Sequence, residues 1–371
     1  MSTQWVAGFR TALVNPDERI QLAEPRGFAD QTLRQVLHLA GGGARLRVRL
    51  TNRYSERELV IGAARIAVHE AGGEIMAGTD TEVRFAGARA VRIPAGGEAI
   101  SDPVDLAVAA ASNLALSLYL PEPTGPTAYA QLPNDSGWVV SGDRTGGLDL
   151  PGAEETTSRF LVTGIDVLAP AHTPVWVAFG DSWFQGTGST HGANRRSVDV
   201  LNERFDRGWI VNQGIGGNRL VTKEIGESGL ERFDRDVLEV PGVRGVLLNF
   251  GVNDLILDES TTSAEDLIAG FTELARRARA AGLSVYANTI GPFGAAYYPG
   301  LAVDTGLPVR QRVNEWLRGT DVFDAVFDIA AAVEDPTRPG FIRPEFDSDG
   351  MHLNDAGARA MAAAMTLAAL D

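Results

Sequence analysis

The hydrophobic positions of this chain change rhythm once, near residue 170. Before that point apolar residues recur at every second position in short runs. In Arg45-Leu46-Arg47-Val48-Arg49-Leu50, apolar and charged residues alternate, as on a strand with one wet face. Leu114, Leu116, Leu118 and Leu120 repeat the pattern. Further runs at residues 59–68, 81–85 and 90–93 are punctuated by Gly72-Gly73 and Gly96-Gly97. Short strands with glycine-rich punctuation predict an antiparallel sandwich or barrel. Ala169-Pro170-Ala171-His172-Thr173-Pro174 reads as a linker, because two prolines close together resist both helix and sheet interior.

After Pro174 the rhythm is strand, loop, helix. Apolar runs at residues 175–179, 209–211, 246–250, 285–290 and 322–327 predict strands. Helical patterns lie between them. The clearest begins at Ser263, with Asp266 three residues on as a capping-box partner. Leu267, Ile268, Phe271, Leu274, Ala275 and Ala278 then form one apolar stripe, which Gly282 ends. Alternating strands and helices predict an α/β fold, a doubly wound and mostly parallel sheet. The chain is therefore expected to hold an all-β sandwich over residues 1–172 and an α/β domain over residues 173–371. In a doubly wound sheet, ligands bind beyond the carboxyl ends of the strands.

Four segments at or near such ends carry chemistry-bearing residues: Gly180-Asp181-Ser182, Asn212-Gln213-Gly214-Ile215-Gly216-Gly217-Asn218, Gly251-Val252-Asn253-Asp254 and Asp349-Gly350-Met351-His352. A helix from about Asp355 follows the last. Taken singly, each has an ordinary reading: a turn, a tight loop, a helix cap and a surface pair. A serine at the first position is expected to show its hydroxyl on a strand-to-helix turn, near the positive end of the helix.

In this order and spacing the four segments resemble the blocks of the SGNH hydrolases, also called GDSL esterases and lipases. Ser182 corresponds to the nucleophile block, Gly217 to the glycine block, Asn253 to the asparagine block and His352 to the terminal Asp-x-x-His block. The resemblance covers roughly residues 174–371. It departs at Trp183 and Phe184, where members often carry a small or β-branched residue. It implies a three-layer α/β hydrolase with Ser182 as nucleophile, His352 as general base and Asp349 as its orienting acid. It also implies an oxyanion hole made of the Ser182 and Gly217 backbone N–H groups and the Asn253 amide. No metal or organic cofactor is expected. A sandwich ahead of such a domain, together with Leu33-Arg34-Gln35-Val36-Leu37-His38, Arg47-Val48-Arg49-Leu50-Thr51-Asn52, Gly216-Gly217-Asn218-Arg219 and Arg232-Phe233-Asp234-Arg235-Asp236-Val237-Leu238, resembles acylhydrolases associated with xylan degradation. The implied substrate is an acylated carbohydrate or a small ester. A lipase or arylesterase is the rival within the enzyme class, and a silent glycan-binding protein the rival outside it.

Composition narrows the field. A net charge of −15 on 371 residues argues against a nucleic-acid partner, which needs clustered Lys and Arg. There is no cysteine, hence no thiolate nucleophile or cysteine metal site. Lys223 is the only lysine, and no phosphate-binding glycine loop surrounds it. No apolar run is long enough for a membrane helix, and the first twenty residues lack a basic start followed by an apolar core, so a cytoplasmic protein without a membrane partner is expected. No G-x-S-x-G or H-E-x-x-H is present. A histidine base must come from His38, His69, His172, His191 or His352, and the first four read as structural or solvated. Trp183, Phe293 and Tyr297 are candidates to line a substrate cleft, with packing as the competing role.

Overall fold

A computed structural model describes residues 2–257, 262–298 and 300–366. The chain divides into two compact units, residues 1–173 and 174–371. In the first, Thr3–Arg10, Val162–Pro170, Leu46–Thr51 and Glu98–Ile100 form a four-stranded sheet in that spatial order. A six-stranded sheet runs Glu154–Thr156, Gly137–Ser141, Gln31–His38, Asn113–Leu120, Ala63–Val68, Thr81–Val83. Their pairings are antiparallel, and the unit is a β-sandwich.

The alternation is visible as burial. Leu46, Val48 and Leu50 are buried while Arg47 and Arg49 are only partly covered. In the central strand Asn113–Leu120 the intervening Ala115 and Ser117 are buried as well, so both faces are covered. On that second face the fully buried Arg34 donates to Ser117 Oγ at 2.8 Å and to the carbonyls of Gly73 and Gly147 at 2.7 Å. Two expectations are corrected. The run at residues 59–68 is two strands in different sheets, because the chain turns at Gly62, whose N–H donates to the Tyr119 carbonyl. The linker is shorter than its prolines implied, since Ala169 and Pro170 end a strand, paired to Gln4 and Thr3.

In the second unit five parallel strands lie in the order Trp209–Gly214, Val175–Gly180, Val243–Asn249, Ser284–Asn288, Ala325–Phe327. Trp176 and Ala178 point to one face, into a core with Leu201, Phe327, Ile329 and Met361. Phe179 points to the other, edge-on to Phe233 and Phe250. Helices on both faces make this a doubly wound α/β fold. The helix Ala264–Ala280 has the predicted capping box at Ser263 and Asp266, buries the predicted stripe except for the partly covered Ile268, and stops before Gly282. In chain order the strands run 2-1-3-4-5, so the connections diverge between the first and third strands. That crevice is where this topology places a ligand. No helix among the described residues is long and apolar enough to cross a membrane.

Candidate active site

The first strand ends at Gly180, and Asp181 caps a single helical turn, Ser182–Gln185, by accepting the Trp183 N–H at 3.1 Å. Ser182 is thus the first residue of that turn. It is only 4% exposed, so the expected open hydroxyl is instead nearly enclosed. Its Oγ lies 2.9 Å from His352 Nε2. Asp181 is fully buried. Its Oδ1 also accepts Asn249 Nδ2 at 3.0 Å, while Oδ2 has no partner among the described residues. Burial pushes this carboxyl up to about 7, against the opposing pull of the Trp183 N–H, the Asn249 amide and His352.

His352 lies on the turn that precedes the helix Asp355–Ala364. Its Nδ1 is 2.7 Å from Asp349 Oδ2. These partners assign the tautomer, with Nδ1–H donating to the carboxylate and Nε2 free to accept from the serine. Asp349 Oδ1 accepts the backbone N–H groups of Met351 at 3.2 Å and His352 at 2.9 Å. The Tyr298 hydroxyl donates to Oδ2 at 3.0 Å. Burial works to raise Asp349, but the His352 bond and charge, the Met351 N–H and Tyr298 prevail and hold it at about 2. Gly350 within this turn has φ 87°, and a side chain there would meet the Ala295 carbonyl oxygen at 2.2 Å, so only glycine fits.

Asn253 lies on the third strand's carboxyl side. The cap of its helix, Val252–Ile256, is Gly251, so Asn253 sits inside the helix and the capping role falls away. It is 2% exposed, and its Nδ2 donates to the Asn218 carbonyl at 3.1 Å, beside Gly217. Gly217 has φ 75°, and a Cβ would come within 2.3 Å of Ile225 Cδ1. Among the described residues, the backbone N–H groups of Ser182 and Gly217 donate to no protein group.

Two buried charges that the sequence did not single out brace these loops. Asp254 accepts the Leu220 and Val221 N–H groups at 2.9 and 3.0 Å, and burial pushes it up to about 6. Arg232, fully buried over the Phe179 ring, donates to Gly180 O at 2.8 Å, Gln213 O at 2.9 Å and Asn218 Oδ1 at 3.0 Å. It thereby ties the serine block to the glycine block. The only signals were its place in the Arg232–Leu238 stretch and Asp254's place beside Asn253.

The aromatic candidates divide. Trp183 is 5% exposed and packed in the core, with Nε1 donating to the Met351 carbonyl at 2.9 Å. Phe293 is fully buried. Neither presents a ring to solvent. Tyr297 is 70% exposed and stacks on Tyr298. His38, His69 and His172 belong to the first unit, and His191 is exposed. Among the described residues no group of three His, Cys, Asp or Glu side chains is arranged to hold a metal ion.

Ser182, His352 and Asp349 thus lie in one hydrogen-bonded line at the switch point of a doubly wound sheet. Residues 178–360, within the second unit, match the model of the GDSL-like lipase/acylhydrolase family. Similar solved structures include Est24, a carbohydrate acetylesterase from Sinorhizobium meliloti (14% identity over 53% of this chain and 100% of that one, TM-score 0.45). An aryl esterase of M. smegmatis matches at 15% identity over 52% and 96%, TM-score 0.43. The acetyl xylan esterase AlAXEase matches at 21% identity over 52% and 97%, TM-score 0.40. No curated protein matches the chain.

Proposed function

We propose that the second unit is a serine esterase that works through an acyl-enzyme on acylated carbohydrates or small esters. The observation that carries this reading is the unbroken chain Ser182 Oγ–His352 Nε2, 2.9 Å, and His352 Nδ1–Asp349 Oδ2, 2.7 Å. Ser182 Oγ attacks the ester carbonyl as its proton passes to His352 Nε2. Asp349, held ionised, stabilises the imidazolium and keeps Nε2 facing the serine. The oxyanion is met by the Ser182 and Gly217 N–H groups and by the Asn253 amide hydrogen not engaged with Asn218. Collapse expels the alcohol, which takes the proton from His352. Water, deprotonated by the same histidine, then releases the acid and restores Ser182. Support for a carbohydrate alcohol comes from the resemblance of residues 33–38, 47–52 and 232–238 to xylan-associated acylhydrolases.

Ser182→Ala tests the chemistry. It is expected to fold normally and to lose roughly a thousandfold or more of esterase turnover. A serine-directed organophosphate is expected to label wild type at Ser182 alone. Near-normal turnover in the variant, or labelling elsewhere, rules the nucleophile out. Acetylated xylo-oligosaccharides assayed beside p-nitrophenyl esters of rising chain length separate a carbohydrate deacylase from a lipase.

A further inference from the structure

In the second unit, the exposed large hydrophobic residues among those described are Tyr297 at 70% and Tyr298 at 45%. They are adjacent, with ring centroids 5.0 Å apart and planes 14° from parallel. A stacked pair with an open face leaves flat apolar area in water, and a second flat ring covers it favourably. The pair is also anchored. Phe293 is buried, Gly294 N–H donates to the Gly340 carbonyl at 2.6 Å, and the Ala295 carbonyl lies against Gly350. Residues 293–298 are thereby seated on the turn that carries Asp349 and His352. From this seat the Tyr298 hydroxyl reaches Asp349 Oδ2, the same oxygen that takes His352 Nδ1.

We propose that Tyr297 and Tyr298 form a platform for a flat ring in the substrate's alcohol part, and that the Tyr298 hydroxyl is in addition a positioning group for Asp349. The inference rests on the serine-esterase reading above and names its substrate class. A pyranose offers its C–H face to such a platform and an aryl group its π-face, so the shared chemistry is a ring one ester bond away from the acyl group. Burial, the bond to Asp349 and that residue's charge push the Tyr298 phenol up to about 12, so it stays a donor across any working pH.

The test uses the full-length protein and three esters: xylose tetraacetate, phenyl acetate and ethyl acetate. Tyr297→Ala is expected to lower kcat/KM about fivefold to tenfold on a ring-bearing ester, through KM, with a clearly smaller loss on ethyl acetate. A selective loss on xylose tetraacetate alone identifies a sugar platform, and one on phenyl acetate alone an aryl platform. Equal losses on all three, or none, overturn it. Tyr298→Phe keeps the ring and removes the hydroxyl. It is expected to lower kcat roughly fivefold on every ester with KM held, and to add almost nothing in an Asp349→Asn background. An equal factor in both backgrounds refutes the positioning role. Binding of methyl xyloside and phenol to Ser182→Ala, followed by NMR, checks the platform without turnover. Binding that Tyr297→Ala leaves unaltered overturns the platform, whereas esterase activity surviving in Ser182→Ala defeats the underlying reading alone.

Discussion

The turn around Ser182 and the turn around His352 each begin with an aspartate, and the two carboxyls live under opposite conditions. Asp349 takes four donors, the His352 ring, two backbone N–H groups and the Tyr298 hydroxyl, spread over both oxygens. Asp181 takes two, both on Oδ1, and its Oδ2 faces no partner among the described residues. Burial pushes on both, yet one ends at about 2 and the other at about 7. Deeper burial of Asp181, and the His352 bond and charge at Asp349 together with its further donors, set the two carboxyls apart. The His352 turn is thus built to hold charge and the Ser182 turn to hold shape.

Exchanging the charge of Asp349 for a neutral amide strikes this contrast hardest. Asp349→Asn keeps the volume but no longer favours the tautomer that presents a bare Nε2 to Ser182. A fall in kcat of roughly 10³–10⁴ is expected, short of the loss in Ser182→Ala. Steady-state kinetics check it, and a variant within tenfold of wild type would mean that Asp349 does not act on His352 during turnover.

Asn253→Ala comes next. With the cap role excluded by Gly251, a loss of about a hundredfold or more in kcat is expected, with KM nearly constant. Loss of the bond to Asn218 adds about 1 kcal/mol of destabilisation. Kinetics and thermal melting on one preparation separate the two effects. A destabilised but fully active protein would send the third oxyanion donor elsewhere.

Trp183 joins the two turns, since it follows the serine and its Nε1 holds the Met351 carbonyl. Trp183→Phe keeps the packing and strands that carbonyl. About 1–2 kcal/mol of stability and a few-fold of kcat should be lost. Urea unfolding checks the first and initial rates the second. An unchanged midpoint would show that another donor already serves Met351.

Much of this site was legible because chemistry-bearing residues in a doubly wound sheet collect where strands end. Ser182, Asn253 and the loop of Gly217 follow apolar runs, and Asp349 and His352 are three residues apart, so one turn brings their side chains together. The Ser263–Asp266 cap was legible because it is local. What sequence did not disclose depends on long-range seating. Charge patterning places Arg232 on a surface, and only the fold surrounds it with carbonyls 14 to 52 residues distant. Tyr297 and Tyr298 are equivalent in sequence, and the fold alone brings the Tyr298 hydroxyl to Asp349 and leaves Tyr297 the more exposed. The two-strand character of residues 59–68 is hidden because a continuous apolar run does not say which sheet each half joins.

The smallest effect on activity is expected at Asp181, and it is where the contrast is most exposed to test. In the unfolded chain both aspartates titrate near 3.8–3.9. Asp349, lowered to about 2, adds stability present above that ordinary value and lost as pH falls toward 2. Asp181, raised to about 7, behaves in the reverse sense: its contribution is complete below about pH 4 and is lost as pH rises through 7. Asp254, raised to about 6, loses its contribution in the same direction. Asp181→Asn keeps an oxygen for the Trp183 N–H and Asn249, and places an amide where the protonated carboxyl carried its hydrogen. It therefore mimics the neutral acid and cannot become a buried anion. Turnover should stay within about threefold of wild type, while the decline in stability between pH 4 and 8 becomes shallower, leaving chiefly the part due to Asp254. At pH 8 the variant should be the more stable protein, by on the order of 1–3 kcal/mol. Urea midpoints at half-unit pH steps on both proteins give the answer. Parallel curves would mean that Asp181 is ionised throughout and that Oδ2 meets a donor after all. A collapse in kcat with stability intact would mean that the charge of Asp181, and not only its shape, is used at Ser182.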